Sequence, residues 1–370
     1  MKSKLFRLFI LACIGLVSIS SIYANGPKDY ITKDSFIYGS YHRGMLIGHH
    51  GCINYYNEEF INGFDLRMGR SFPEIRTVRS PEIGVGIYHS NLGNDDIYGN
   101  TTGLYFHFSS SFLDQSKAFG FGTTVSGGIN YVNTPYDEQN NFINQAIGSH
   151  INAFFILQLD FEYSLNNELS FNLSPSLVHM SNGKIKLPNT GLNLYNIQFG
   201  AKHVIESKKF DKNNHSYSAN QTEGKRHRIS ALPAAAVRQK SLMANETEFI
   251  SSSLLEYTYK LTHNIRIGAG SNLFYISNFL MDPTSVHHEY EYNQFTGGLH
   301  FSCEIVWNKL SFILQPGIRV FHNNPYDDFH FSRVGVRYNL LSDFFVNCTI
   351  KSSSFAAEYI EWGIGYNLNF

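Results

Sequence analysis

His179 and Ser181, near the middle of the chain, have the types and spacing of a base and a nucleophile. An imidazole that takes the hydroxyl proton turns serine into an attacking oxygen, and acyl transfer then needs donors for the oxyanion that develops on the carbonyl. Asn182 and Asn189 bring amide groups into the loop just beyond, and Gly183 and Gly191 let the backbone turn tightly around them. Lys184 and Lys186 in the same loop offer positive charge for phosphates at a membrane surface.

Residues two apart share a face only on an extended strand. From Leu169 the odd positions read Leu169, Phe171, Leu173, Pro175, Leu177, His179 and Ser181, and the even ones Ser170, Asn172, Ser174, Ser176, Val178 and Met180. One row is greasy and the other small and polar, the pattern of a strand between two different solvents. The imidazole and hydroxyl end the greasy row, which suggests chemistry on something greasy. On the following strand Asn193 begins the apolar row Tyr195, Ile197, Phe199 and Ala201, opposed by Asn196, Gln198, Gly200 and Lys202. Asn193 is therefore expected beside His179 and Ser181, one hairpin across.

The same two-faced alternation fills the chain, which carries 23 Tyr, 31 Phe and 30 Gly but only 16% charged residues. Trp362, Ile364, Tyr366, Leu368 and Phe370 alternate with Glu361, Gly363, Gly365, Asn367 and Asn369. Arg266, Arg319, Arg333 and Arg337 also fall on the polar rows of their segments. Segments of this kind, with charge on one face only, read as an all-β transmembrane antiparallel barrel of about 14 strands, with about 12 to 16 as the range. The early segments are the weakest, and a polar stretch from Glu206 to His227 reads as a connection. Neither half is expected to close alone, so residues 25–370 are expected to form one barrel.

The first residues, Met1-Lys2-Ser3-Lys4-Leu5-Phe6-Arg7 followed by an apolar run and Tyr23-Ala24-Asn25, read as a signal peptide over 1–24. The alternative, a lipoprotein cysteine at Cys13, leaves too short an apolar run before it. Short turns at Asn166-Asn167, Thr262-His263, Asn308-Lys309 and Ser342-Asp343 are expected on the periplasmic side, and the longer loops Met281 to His288 and His322 to Asp328 outside. His179 and Ser181 lie 12 and 14 residues past Asn167, which puts them at the outer-leaflet interface. A formal net charge of -1 gives no reason to expect nucleic acid. Cys52, Cys303 and Cys348 imply no disulfide framework, and the histidines His42, His49, His50, His89, His287 and His288 lack ligand spacing, so neither metal nor cofactor is expected.

His179-Met180-Ser181-Asn182-Gly183, a short loop, Pro188-Asn189-Thr190-Gly191 and a residue on the returning strand resemble the outer-membrane lipid A 3-O-deacylases, the PagL-like acyloxyacyl hydrolases. Ala146-Ile147-Gly148 through Tyr163, leading into the motif, fits as well, and the resemblance covers about residues 84–205. It implies Ser181 as nucleophile, His179 as general base, and Asn182 and Asn189 at positions associated with oxyanion stabilisation. The implied substrate is lipid A, or lipopolysaccharide, in the outer leaflet of a Gram-negative outer membrane, losing the ester-linked 3-hydroxyacyl chain at position 3. Two departures stand out. The family's third residue is an acid, typically Glu, where this chain has Asn193. Asp160 and Glu162 are near in sequence but expected to face the lumen. The chain is also long, since the small barrels of the family have about half as many strands as the ~14 expected here. A non-enzymatic barrel retaining the motif as a relic, and an acyl transferase, remain the alternatives. The terminal Phe370 resembles the recognition strand read by the barrel-assembly machinery, and nothing in the sequence fixes an oligomeric state.

Overall fold

The computed structural model describes residues 30–48, 53, 55–56, 59–72, 79–113, 118–211, 225–239, 242, 247–262, 264–276, 295–307, 309–321, 328–341, 343–353 and 356–370. The expected signal peptide, His49, His50, Cys52 and the Met281 to His288 loop lie outside them, as does most of the His322 to Asp328 loop. The strands in chain order are β1 (Tyr30–Leu46), β2 (Ile61–Ser71), β3 (Arg79–Asn91), β4 (Asn100–Ser111), β5 (Phe119–Val132), β6 (Ile151–Ser164), β7 (Leu169–Ser181) and β8 (Leu192–Asp211). They continue as β9 (His227–Gln239), β10 (Thr247–Lys260), β11 (Ile265–Ile276), β12 (Phe295–Trp307), β13 (Leu310–Phe321), β14 (His330–Asn339), β15 (Phe344–Ser353) and β16 (Ala356–Asn369).

These strands make two closed barrels, β1 to β8 and β9 to β16, every neighbouring pair antiparallel. The expectation of a single barrel of about 14 strands is corrected by this closure. Alternation reports which face a residue takes but carries no record of which strand lies beside it. The decisive pairings join β8 back to β1 and β16 back to β9. Glu206 to Asp211, read above as connection, pair with Ser35 to Tyr30 in that first closure. Eight strands are enough to close, because the interior is then just wide enough for side chains to fill.

The first compact unit comprises the residues up to Ser181 together with Thr190–Ser218. Its outward rows are apolar and exposed, including Phe155, Leu173, Leu177, Tyr195, Ile197 and Phe199, while Asn172, Ser174, Ser176 and Gln198 are buried inside. That inversion of the soluble-protein pattern is what a lipid-facing wall requires. The interior has two zones. Towards the Asn166-Asn167 turn, Lys202 bridges Glu82 (3.0 Å) and Glu162 (2.8 Å), and Arg67 binds Asp65 (2.5 Å) and Gln158 (2.7 Å). Asp160 accepts hydrogen bonds from Ser174 (2.8 Å) and Thr124 (2.6 Å). A polar cavity of 280 Å³ opens among Arg67, His107, Asp160 and Lys202. At the other end an apolar cluster that includes Leu46, Tyr88, Ile97, Val132, Ile147, Met180 and Leu192 fills the lumen.

The second unit comprises Asn182–Asn189 with Ala219–Phe370. Its interior holds the arginines expected there, each with partners. Glu256 binds Arg337 (2.8 Å), His300 (3.2 Å) and Gln315 (2.5 Å). Arg333 binds Glu361 (2.5 Å), Arg319 binds Glu358 (2.7 Å), Arg266 binds Thr258 (3.1 Å), and Arg228 pairs with Glu304. Closure ends at the last residue: the Phe370 backbone exchanges hydrogen bonds with His227, whose ring stacks on it at 5.6 Å.

A buried carboxylate serving three partners leaves unpaired charge when removed, at a cost of about 3–5 kcal/mol. Glu256→Ala should therefore lower the thermal midpoint of the folded, gel-mobility-shifted form of the protein. An unchanged midpoint would show that the interior network does not support the second barrel.

Candidate active site

β7 delivers His179 and Ser181, and β8 delivers Asn193 directly opposite His179 in the register. Strand pairing alone thus brings three side chains to one patch of the first unit. The His179 Nδ1–H donates to Asn193 Oδ1 (2.7 Å), and the Ser181 hydroxyl donates to His179 Nε2 (3.0 Å). With an amide oxygen facing Nδ1, the ring proton sits on Nδ1 and the Nε2 lone pair is left for the hydroxyl. This is the arrangement of orienter, base and nucleophile needed to activate a serine. His179 and Asn193 are half-buried, whereas Ser181 is only 2% exposed.

The neighbours of these side chains explain that shape. Ala153 on β6 pairs with Ser181 and Phe155 with His179. Phe155, Leu177 and Tyr195 on the outward face surround the imidazole with apolar surface. Gly191 closes the patch from the other side at φ +78°, a left-handed conformation that glycine adopts freely. A Cβ at Gly191 would stand 3.1 Å from His179 Cε1 and 3.6 Å from Ser181 Cβ.

The loop residues Asn182 and Asn189 belong to the second unit. The Asn182 backbone N–H donates to Asn189 Oδ1 (2.9 Å), and Asn182 Nδ2 donates to the Lys186 carbonyl (2.8 Å). Asn182 therefore ties the loop together with both groups, a use that residue type and spacing did not reveal. Leu187 N–H donates to Gln239 Oε1 (2.8 Å), and Gln239 N–H donates to the Lys184 carbonyl (2.8 Å). Lys186 is exposed, while Lys184 is half-buried and held below the ordinary lysine pKa by burial and by Arg238, with Glu358 opposing. Asp160 and Glu162 are engaged inside the lumen, as their even register positions require.

Residues 62–202 match the family model of the lipid A 3-O-deacylases (PagL), and residues 227–370 match that of the acyloxyacyl hydrolase C-terminal domain. The chain belongs to the PagL lipid A 3-O-deacylase family. It is accordingly an outer-membrane protein of a hydrolase family, and the resemblance read from the motif extends well beyond residues 84–205. The C-terminal strands, which the motif left without a parallel, have a family model of their own. A search of curated proteins gave no match. Among solved structures, Neisserial surface protein A aligns at 9% identity over 46% of this chain and 97% of that one, with a TM-score of 0.31. The translocator domain of the autotransporter NalP from Neisseria meningitidis aligns at 8% identity over 100% of this chain and 98% of that one, with a TM-score of 0.22.

Gly191→Ala should lower hydrolase activity by about tenfold or more, because displacing reacting groups by a fraction of an ångström is costly. The test is turnover per folded barrel, and an unchanged value would show that His179 and Ser181 do not need the glycine.

Proposed function

We propose that the protein is a serine esterase that removes the ester-linked 3-hydroxyacyl chain from position 3 of lipid A. The observation that carries this reading is the continuous contact from Asn193 through His179 to Ser181 on the outward, apolar face of a barrel. His179 Nε2 takes the hydroxyl proton as Ser181 Oγ attacks the ester carbonyl, and the carbonyl electrons move to oxygen. As the tetrahedral intermediate collapses, the sugar oxygen leaves with the proton returned by His179. Water, deprotonated by the same nitrogen, then attacks the acyl-serine; as the acyl–oxygen bond breaks, His179 returns that proton to Ser181 Oγ and the free 3-hydroxy fatty acid leaves.

Asn193 keeps the imidazole in the productive tautomer but brings no negative charge to the imidazolium that forms. A carboxylate there would add that stabilisation. Asn189 is assigned to the oxyanion by the family pattern, with its Oδ1 held by Asn182 so that the amide is fixed in orientation. Lipid A diffuses laterally along the outward face, so the substrate needs no passage through the lumen. Lys186, exposed in the neighbouring loop, suits the phosphates of such a glycolipid. We also assign β16 and its terminal Phe370 as the segment read by the barrel-assembly machinery. The relic-scaffold alternative is weaker, because the family whose model matches residues 62–202 is one of lipid A deacylases.

The experiment is expression in a Gram-negative host whose lipid A carries a 3-O-acyl chain, followed by mass spectrometry of lipid A and analysis of released fatty acid. Wild type should yield the deacylated lipid and free 3-hydroxy acid, and Ser181→Ala neither. Identical lipid profiles for the two would leave the scaffold reading, and an acylated acceptor in place of free acid would indicate a transferase. Asn193→Ala should lower turnover with the barrel still folded, whereas the isosteric Asn193→Asp should raise it. Equal turnover in all three would remove Asn193 from the mechanism.

A further inference from the structure

Two buried asparagines pin the long connection between β5 and β6, residues 133–150: Asn141 donates to the carbonyls of Ile97 (2.9 Å) and Pro135 (3.1 Å), and Asn144 anchors the part next to the candidate active site. Asn144 is fully buried, and its amide is saturated. Its Oδ1 accepts from the backbone N–H groups of Ala146 (3.1 Å) and Ile147 (3.2 Å). Its Nδ2 donates to the carbonyls of Ile97 (3.1 Å) and Thr134 (2.8 Å). Four bonds from one buried amide fix where the Ala146 peptide lies.

That peptide touches the active-site wall. The Ala146 carbonyl accepts the Gly191 N–H (3.0 Å), and the adjacent Gln145 carbonyl accepts the Thr190 hydroxyl (3.1 Å). Gly191 in turn lies beside His179 and Ser181, near enough that an added Cβ would stand 3.1 Å from His179 Cε1. Ala146 and Ile147 are themselves packed in the apolar cluster with Val178, Met180 and Leu192, the inward neighbours of the same two strands. A buried peptide so enclosed has little freedom to shift independently of its anchor.

We infer that Asn144 is a positioning residue for the esterase reaction, acting through the Ala146 carbonyl and Gly191 to set the imidazole against the serine hydroxyl. The inference rests on the function proposed above. The four side-chain bonds of Asn144 all go to backbone groups of Ile97, Thr134, Ala146 and Ile147. Its effect is the placement of the Thr190-Gly191 segment, the entry to β8 that also carries Asn193. Because both the Ser181 and Asn193 bonds of His179 depend on ring position, a shift of this segment changes kcat and the ionisation seen in the rate, with little effect on acyl-chain binding along the outer wall.

The test compares wild type, Ser181→Ala, Asn144→Ala and Asn144→Asp as full-length barrels in detergent. Active sites are counted with a lipophilic fluorophosphonate, and deacylation of purified 3-O-acylated lipid A is followed across pH. Asn144→Ala should lose about 10- to 100-fold in kcat per titrated site at nearly constant KM, the scale of a ~1 Å misplacement. The acid limb of its pH profile should move. Asn144→Asp, which keeps the acceptor for Ala146 and Ile147, should recover part of the loss. Should Asn144→Ala give no folded barrel, Asn144→Gln, which displaces the same amide by one methylene, is scored by the same criteria. A kcat per site within about twofold of wild type, with an unmoved acid limb, would overturn the inference even if fewer molecules fold. Wild-type deacylation absent, or unaffected by Ser181→Ala, would instead defeat the parent reading and this one with it.

Discussion

Polar groups on a lipid-facing wall must satisfy one another, and that constraint organises the first barrel around His179. Leaving an imidazole, a hydroxyl and an amide unpaired against hydrocarbon costs about 2–7 kcal/mol for each group without a partner. The Asn193–His179–Ser181 contact meets that demand with two hydrogen bonds. The same two bonds choose the tautomer and aim the hydroxyl. Here the requirement for stability and the requirement for nucleophilic chemistry are met by one geometry.

Strand register brings this contact together. His179 meets Asn193 because β7 and β8 pair in one register and not its neighbour, since a slip of one residue would send the imidazole into the lumen. That register is secured from inside by Val178, Met180, Leu192 and Leu194, all buried in the apolar plug. The polar zone of the lumen, with its Lys202 bridge, sits at the opposite end. Charges that would compete for the imidazole are thereby kept on the other side of the wall. In the second barrel, acids and arginines neutralise one another in the interior.

Much of this was legible in the residues. Period-two alternation gave the strands, the sidedness of the arginines and the shared face of His179, Ser181 and Asn193, because each is a local property of an extended chain. Closure was not legible. Whether β8 returns to β1 or continues into β9 depends on pairings far apart in the chain, such as Tyr30 with Asp211 and Arg228 with Asn369, and alternation is blind to partners. The loop was only partly read. Asn182 and Asn189 stood out by type, but residue type could not show that Asn182 spends its N–H and its amide on Asn189 and Lys186. Asn144 gave no signal at all, since a buried asparagine that anchors peptides looks in sequence like any polar residue in a loop.

The most direct measurement of the central claim is to trap the nucleophile in the bilayer. Outer-membrane vesicles containing the protein are treated with a lipophilic fluorophosphonate, and the adduct is located by peptide mass spectrometry. The account requires one rapid adduct, on Ser181, whose formation slows about a hundredfold or more when His179 is replaced by Gln. Labelling at another residue, or labelling of Ser181 at the same rate without the imidazole, would contradict it.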